Sequence, residues 1–192
     1  EFYADNLPAT VNIGPGSPTG VAFGYGAKFP AKYQEALYIM DWSWGKIYAV
    51  HLKAQGASYA GTKEDFILGA PLPVTDMVIH PGDGAMYFAI GGRKVQSGLY
   101  RVTYVGQEST APVKYDAPAP SAEVLARKAL EQFHGKQDPK AADIAWPHLA
   151  SSDRWLRSAA RVVLEHQPAA GWAERAFAEQ NATARLEALL AL

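Results

Sequence analysis

The sequence predicts a β-plus-α chain in two parts, an antiparallel sheet portion followed by a helical one. Three observations carry this expectation. Short apolar or alternating runs, bounded by glycine, proline and aspartate, fill the first half of the chain, the pattern of strands joined by tight turns. A proline-rich stretch without period, QESTAPVKYDAPAP at 107–120, then interrupts it and reads as a linker. Beyond that stretch, apolar residues recur at helical spacing between capping residues. The expected boundaries are a sheet domain at 1–108, a linker at 109–120 and a helical domain at 121–192.

In the sheet portion, residues 1–16 lack pattern and are broken by Pro8, Gly14, Pro15 and Gly16, as expected of a leading strand and a loop. A strand follows at 19–25, where Gly20 and Gly24 permit close backbone approach. Residues 28–35 form a polar and aromatic connection. The apolar run ALYIM at 36–40 is the next strand, and Asp41-Trp42-Ser43-Trp44-Gly45 turns the chain into KIYAVHL at 46–52. EDFIL at 64–68 supplies a fourth strand before Gly69-Ala70-Pro71.

Three further strands occupy 71–106. Residues 75–80 end in Pro81-Gly82-Asp83-Gly84, a cluster suited to a tight reversal. Residues 85–90 are apolar at nearly every position, as in a strand buried on both faces. After a loop from Gly91 to Gly98, residues 99–105 carry Tyr100, Val102 and Tyr104 on one side and Arg101 and Thr103 on the other, as expected of a strand moving toward an edge.

The sheet portion repeats itself. Ala36-Leu37-Tyr38 aligns with Ala85-Met86-Tyr87, and Ile47-Tyr48-Ala49-Val50 falls near Leu99-Tyr100-Arg101-Val102. A period of about 50 residues and four short antiparallel strands per repeat suit a β-propeller blade. About two blades are present, where propellers use roughly 4 to 8. The open strand edges therefore call for missing blades, a second copy, or the helices that follow.

In the helical portion, Ser121 caps a first helix whose apolar face includes Val124, Leu125, Ala129 and Phe133, with Gly135 at its end. Asp138-Pro139 opens a second, which carries Ile144 and Leu149 inward and is shortened by Pro147. A third runs from Asp153 or a preceding serine to about His166, with Leu156, Ala160, Val163 and Leu164 on one stripe. Helices at 172–179 and 182–192 repeat the pair, with Leu149, Asp153, Arg157 and Ala160 matching Phe177, Asn181, Arg185 and Ala188. This self-similarity predicts stacked helix pairs of the HEAT kind. The apolar ending Leu189-Leu190-Ala191-Leu192 and the abrupt start at Glu1 read as those of a piece of a longer chain.

Composition narrows the function classes. The chain has 192 residues, 48% hydrophobic and 19% charged, within the range of ordinary folded proteins. A formal charge of −1 gives no global attraction to nucleic acid, and the basic residues of the helical part alternate with glutamates. With no cysteine, disulfides, thiolate nucleophiles, zinc-thiolate sites and covalent c-type haem attachment are excluded from this segment. No apolar run approaches the ~20 residues of a membrane-spanning helix. No histidine is spaced from another histidine or a carboxylate as a metal site requires, so no metal ligand and no catalytic residue is assigned.

The runs GSPTGVAFG, FPAKYQEALYIMDWSWGKIYAVHL, GASY, PLPVTDMVIHPGDGAMYFAIGGR and SGLYRVTY together resemble the end of the propeller in glucose/sorbosone dehydrogenase-like proteins. The helical tail resembles one branch, large exported and often membrane-associated proteins in which the propeller is followed by helical repeats and a cytochrome c domain. The resemblance implies an exported parent that oxidises a sugar or alcohol with pyrroloquinoline quinone, calcium and haem c. It also implies that this segment lacks those cofactors and has no dehydrogenase activity by itself. Where the family carries cofactor-clamping arginines, the positions before Asp76 read Pro73-Val74-Thr75, a departure that argues against quinone binding in the known manner. The second reading is a carbohydrate- or protein-binding scaffold without redox activity.

In a propeller, loops within and between blades open on one face. On that basis Ser17, Thr19, Asp41, Trp42, Trp44, Thr75, Arg93, Lys94 and Gln96 would surround one mouth, the cations facing an anionic group and the tryptophans stacking on a sugar ring. The same residues would serve equally as turn formers, packing groups and solvated loop charges.

Overall fold

The computed structural model describes residues 3–92, 94–115 and 119–192. Their secondary structure is two antiparallel sheets, of four and three strands, and six α-helices. The chain divides into two compact units, one of residues Thr10–Lys53 and Ala60–Ala117, the other of Glu1–Ala9, Ala54–Tyr59 and Pro118–Leu192.

The first sheet is ordered β1 (Pro18–Phe23), β2 (Leu37–Asp41), β3 (Lys46–Gln55), β4 (Ser58–Leu68); α1 (Ala31–Gln34) lies in the β1–β2 connection. The second sheet is β5 (Val74–Ile79), β6 (Met86–Gly92) and β7 (Val95–Val102), in sequence order. Met40, Ile47 and Ala49 of the first sheet share one core with Val74, Met86, Phe88 and Ile90 of the second. Period-2 alternation puts one face of β6 inward, whereas β2 and β3 are buried on both faces, Ile39, Tyr48 and Val50 forming a separate core with Val11 and Ile13.

The two sheets use the same register. Leu37 pairs with Val50 and Met40 with Ile47, as Met86 pairs with Val102 and Ala89 with Leu99. In β1 the pairing with β2 skips Thr19, and in β5 the pairing with β6 skips Thr75. Each first strand thus carries a bulge at a threonine, one residue unpaired against its neighbour.

Several sheet expectations change. Among residues 3–16 there is no strand; Pro8 and Pro15 lack the ladder donor and Gly14 and Gly16 weaken an extended segment. Strand β6 is not buried on both faces, because Tyr87 and Ala89 alternate as half-buried with buried Met86, Phe88 and Ile90. The predicted loop from Gly91 to Gly98 is mostly strand: β6 runs through Gly92 and β7 begins at Val95, where the two pair. The reversal is a tight one in which Lys94 has a φ of 61°, a conformation open to few residues other than glycine.

The helical unit contains α2 (Ala122–Glu131), α3 (Ala141–Ala145), α4 (Arg154–Glu165), α5 (Ala173–Ala178) and α6 (Ala182–Leu190). Its core gathers Leu130, Trp146, Leu149, Leu156, Val163, Leu164 and Trp172, the leucines contributing about 1.5–3 kcal/mol each by burial. Ser121 accepts the Val124 amide at 3.1 Å, as expected of a cap. The inward face of α2 is nevertheless rotated: Leu125 and Ala129 are exposed and Leu130 is the buried leucine. Asp138 does not cap α3; it accepts the Lys140 amide at 2.8 Å within the preceding turn, and α3 starts at Ala141. Pro147 ends α3 in a 3-10 turn, Trp146–His148. Ile144 is exposed while Ala141 and Ala145 face the core.

Asp153 caps α4 through the amides of Trp155 and Leu156, and Asn181 caps α6 through those of Thr183 and Ala184. Ala160 and Ala188 are both fully buried, but Leu149 is buried where Phe177 is exposed. Glu187, buried on α6, accepts from Arg157 and Arg161 of α4 at 3.2 Å each. Arg161 also donates to the main-chain oxygens of Ala4 and Asp5.

Candidate functional site

The sequence candidates converge on the turn after β2. Asp41 ends that strand fully buried. Its Oδ1 accepts the amides of Ser17 at 3.0 Å, Ser43 at 2.9 Å and Trp44 at 3.4 Å. Oδ2 has no hydrogen-bond partner and lies against Gly16, where any Cβ would collide with it. The Ser43 hydroxyl donates to that of Ser17 at 2.8 Å. A carboxylate that accepts several amides fixes a turn as a rigid unit.

That unit holds two tryptophans outward. Trp42 is 38% and Trp44 60% exposed, yet both indole N–H groups are engaged: Trp42 donates to the Gly91 carbonyl at 2.8 Å and Trp44 to the Pro15 carbonyl at 2.5 Å. Gly92 has no side chain to obstruct Trp42, whose ring occupies the space a Cβ would need. The pair borders a cleft of about 340 Å³ that also involves Ser43, Leu72, Pro73 and Val95. Its size matches small-ligand sites.

The other candidates are placed as follows. Thr19 and Thr75 sit at the two bulges, and their hydroxyls donate to the carbonyls of Val74 at 2.9 Å and Ala89 at 3.2 Å. Lys94 occupies the β6–β7 reversal and Gln96 is exposed on β7. Arg93 lies outside the described residues. No charged side chain among the described residues lines the cleft. Leu72, Pro73 and Val95, absent from the sequence candidates, complete the wall; the apolar PLP run was the only signal of the first two, and Val95 lay in the stretch expected to be a loop.

Two clusters couple histidines to carboxylates, which spacing along the chain did not reveal. His80 Nδ1 lies 3.1 Å from Asp83, which also binds Tyr87 and Arg101. His51 Nε2 lies 2.8 Å from Glu64, which also pairs with Lys32. The Ala85 amide, with Tyr87 and Arg101, holds the Asp83 carboxyl well below the usual range. The His51 bond, with Lys32 in support, lowers the Glu64 carboxyl from its ordinary value. Both are pairs: among the described residues no group of three or more metal-ligating side chains converges. None of the described helices is long and apolar enough to cross a membrane.

In the helical unit a second cleft, of about 360 Å³, lies between the loops that join α2 to α3 and α4 to α5. Trp172, Pro139 and Pro168 form its apolar wall. Trp146 instead donates to Glu179 at 2.7 Å beneath the Arg175 guanidinium, 4.0 Å from the ring centre.

No family model, curated protein or solved structure matches the chain.

Proposed function

We propose that this chain is the C-terminal portion of a sugar or alcohol dehydrogenase-like propeller protein, not catalytic by itself, which contributes a carbohydrate-binding cleft between Trp42 and Trp44. One observation carries the binding role: the two indoles are exposed while their N–H groups are fixed to main-chain carbonyls. A ring held in place before the ligand arrives loses little freedom on binding, and its face can stack on the apolar face of a sugar. The uncharged lining favours a neutral sugar over an anionic one.

The redox parentage rests on the sequence resemblance, and with it the exported location, the quinone, calcium and haem of the absent portions, and the HEAT character of the helices. The common register of the two sheets and the paired caps Asp153 and Asn181 support repeats of both kinds. Strands β4 and β7 end their sheets; in this reading further blades or a second copy cover those edges. Pro73-Val74-Thr75, in place of clamping arginines, favours the second reading, a binding scaffold without redox activity.

Titration of the chain with neutral mono- and oligosaccharides should change tryptophan fluorescence saturably, and Trp44→Ala should abolish most of the change. An identical response in both proteins removes the cleft from consideration. A dye-linked sugar dehydrogenase assay should show no turnover by these residues alone; turnover would overturn the non-catalytic assignment.

A further inference from the structure

We propose that the cleft between the α2–α3 and α4–α5 loops binds a small organic cation, an ammonium group carried on an apolar ring or short chain. This site lies wholly within the helical unit and is independent of the Trp42–Trp44 cleft.

The cleft is held in shape before any ligand enters. Buried Gln167 joins the two loops: its Oε1 accepts the Asp138 amide at 2.9 Å, and its Nε2 donates to Lys136 at 2.8 Å and Val163 at 3.2 Å. The Gln167 carbonyl in turn accepts the Trp172 indole N–H at 3.4 Å. The wall is therefore fixed by bonds among its own members, and the ordering cost of binding is small.

Those bonds occupy most of the lining's donors, the Gln137 side-chain amide excepted. Pro139 and Pro168 have no N–H. The amides of Gly171 and Trp172 are bonded to Pro168 and Ala169, and the Gln167 amide to Leu164. Both the Gln167 side-chain nitrogen and the Trp172 indole are engaged, as above. Among the described residues the lining presents a largely apolar surface, the Gln137 side-chain amide and one charge, since Asp138 is its only ionic side chain. Its Oδ1 takes the Lys140 amide at 2.8 Å, leaving Oδ2 for a ligand. A guest with hydrogen-bond donors and a positive charge complements that carboxylate. An ammonium ion supplies both. An anion would meet the Asp138 carboxylate.

The test is a titration of the full ¹⁵N-labelled chain with benzylamine, and with benzyl alcohol as the neutral counterpart, following the Trp172 indole N–H resonance. Benzylamine should shift that resonance saturably, in the millimolar range expected of so small a ligand, and benzyl alcohol should bind about tenfold more weakly. Asp138→Asn keeps the oxygen that accepts the Lys140 amide, so the loop is retained. It should weaken benzylamine about tenfold and leave benzyl alcohol unchanged. Ala142→Leu, which fills the cleft, should abolish both; should that variant fail to fold, the Asp138→Asn comparison decides alone. Equal affinity for the two probes, no shift at Trp172, or unaltered benzylamine binding by Asp138→Asn would each overturn the proposal.

Discussion

Asp83 gathers the donors around one turn: the Ala85 amide, the Tyr87 hydroxyl, the Arg101 guanidinium and His80. In the sequence it reads as a turn former, and it is one. Its link to Arg101 was not legible, because only the β6–β7 register carries that residue to the turn. These partners favour the ionised form, so the Asp83 carboxyl titrates below an unfolded aspartate. Stability from this group is therefore complete above the ordinary aspartate range, near pH 4, and is lost as pH falls through the depressed folded value. Urea midpoints of the wild type and Asp83→Asn should differ most near neutrality and converge toward pH 2. A difference that stays constant over that interval would show that the carboxylate is not stabilised by its neighbours.

Helix starts were legible where a capping side chain stands before an apolar stripe, as at Ser121 and Asp153, while Asn181 was legible only as the counterpart of Asp153 in the repeat. The cap at Asp138 was misread because an aspartate closing its own turn has the same local sequence. Faces were less legible than starts: α2 offers both Leu125 and Leu130, and only packing selects Leu130. The caps of α4 and α6 differ in a measurable way. Each accepts two amides of its own helix, but Asp153 Oδ2 also accepts the Ala57 amide at 2.6 Å. Asn181→Ala should cost about 1 kcal/mol and Asp153→Ala about 2 kcal/mol or more in denaturant unfolding. Equal losses would mean that the Ala57 contact contributes nothing.

Across the molecule, alternation and turn chemistry placed the strands, while contacts between distant segments stayed hidden. The proline-rich stretch is an example. Its composition marks a linker, yet the Gln34 side chain, 1% exposed, donates to the Ala111 carbonyl at 2.9 Å and accepts the Val113 amide at 3.1 Å. Residues 116–118 of the same stretch lie outside the described residues. Gln34→Ala would leave those groups unpaired and release the segment, so trypsin should cut after Lys114 at least ~10-fold faster than in the wild type. Equal cleavage rates would show that the segment is not held there. The glycines at 91 and 92 misled in the opposite direction, suggesting a loop where the ladder continues. What the two sheets do share is an irregularity, a register shift in the first strand at a threonine, Thr19 in one and Thr75 in the other. An unpaired residue bends its strand and strengthens the local twist, so each sheet turns away from a flat ladder at its own first strand.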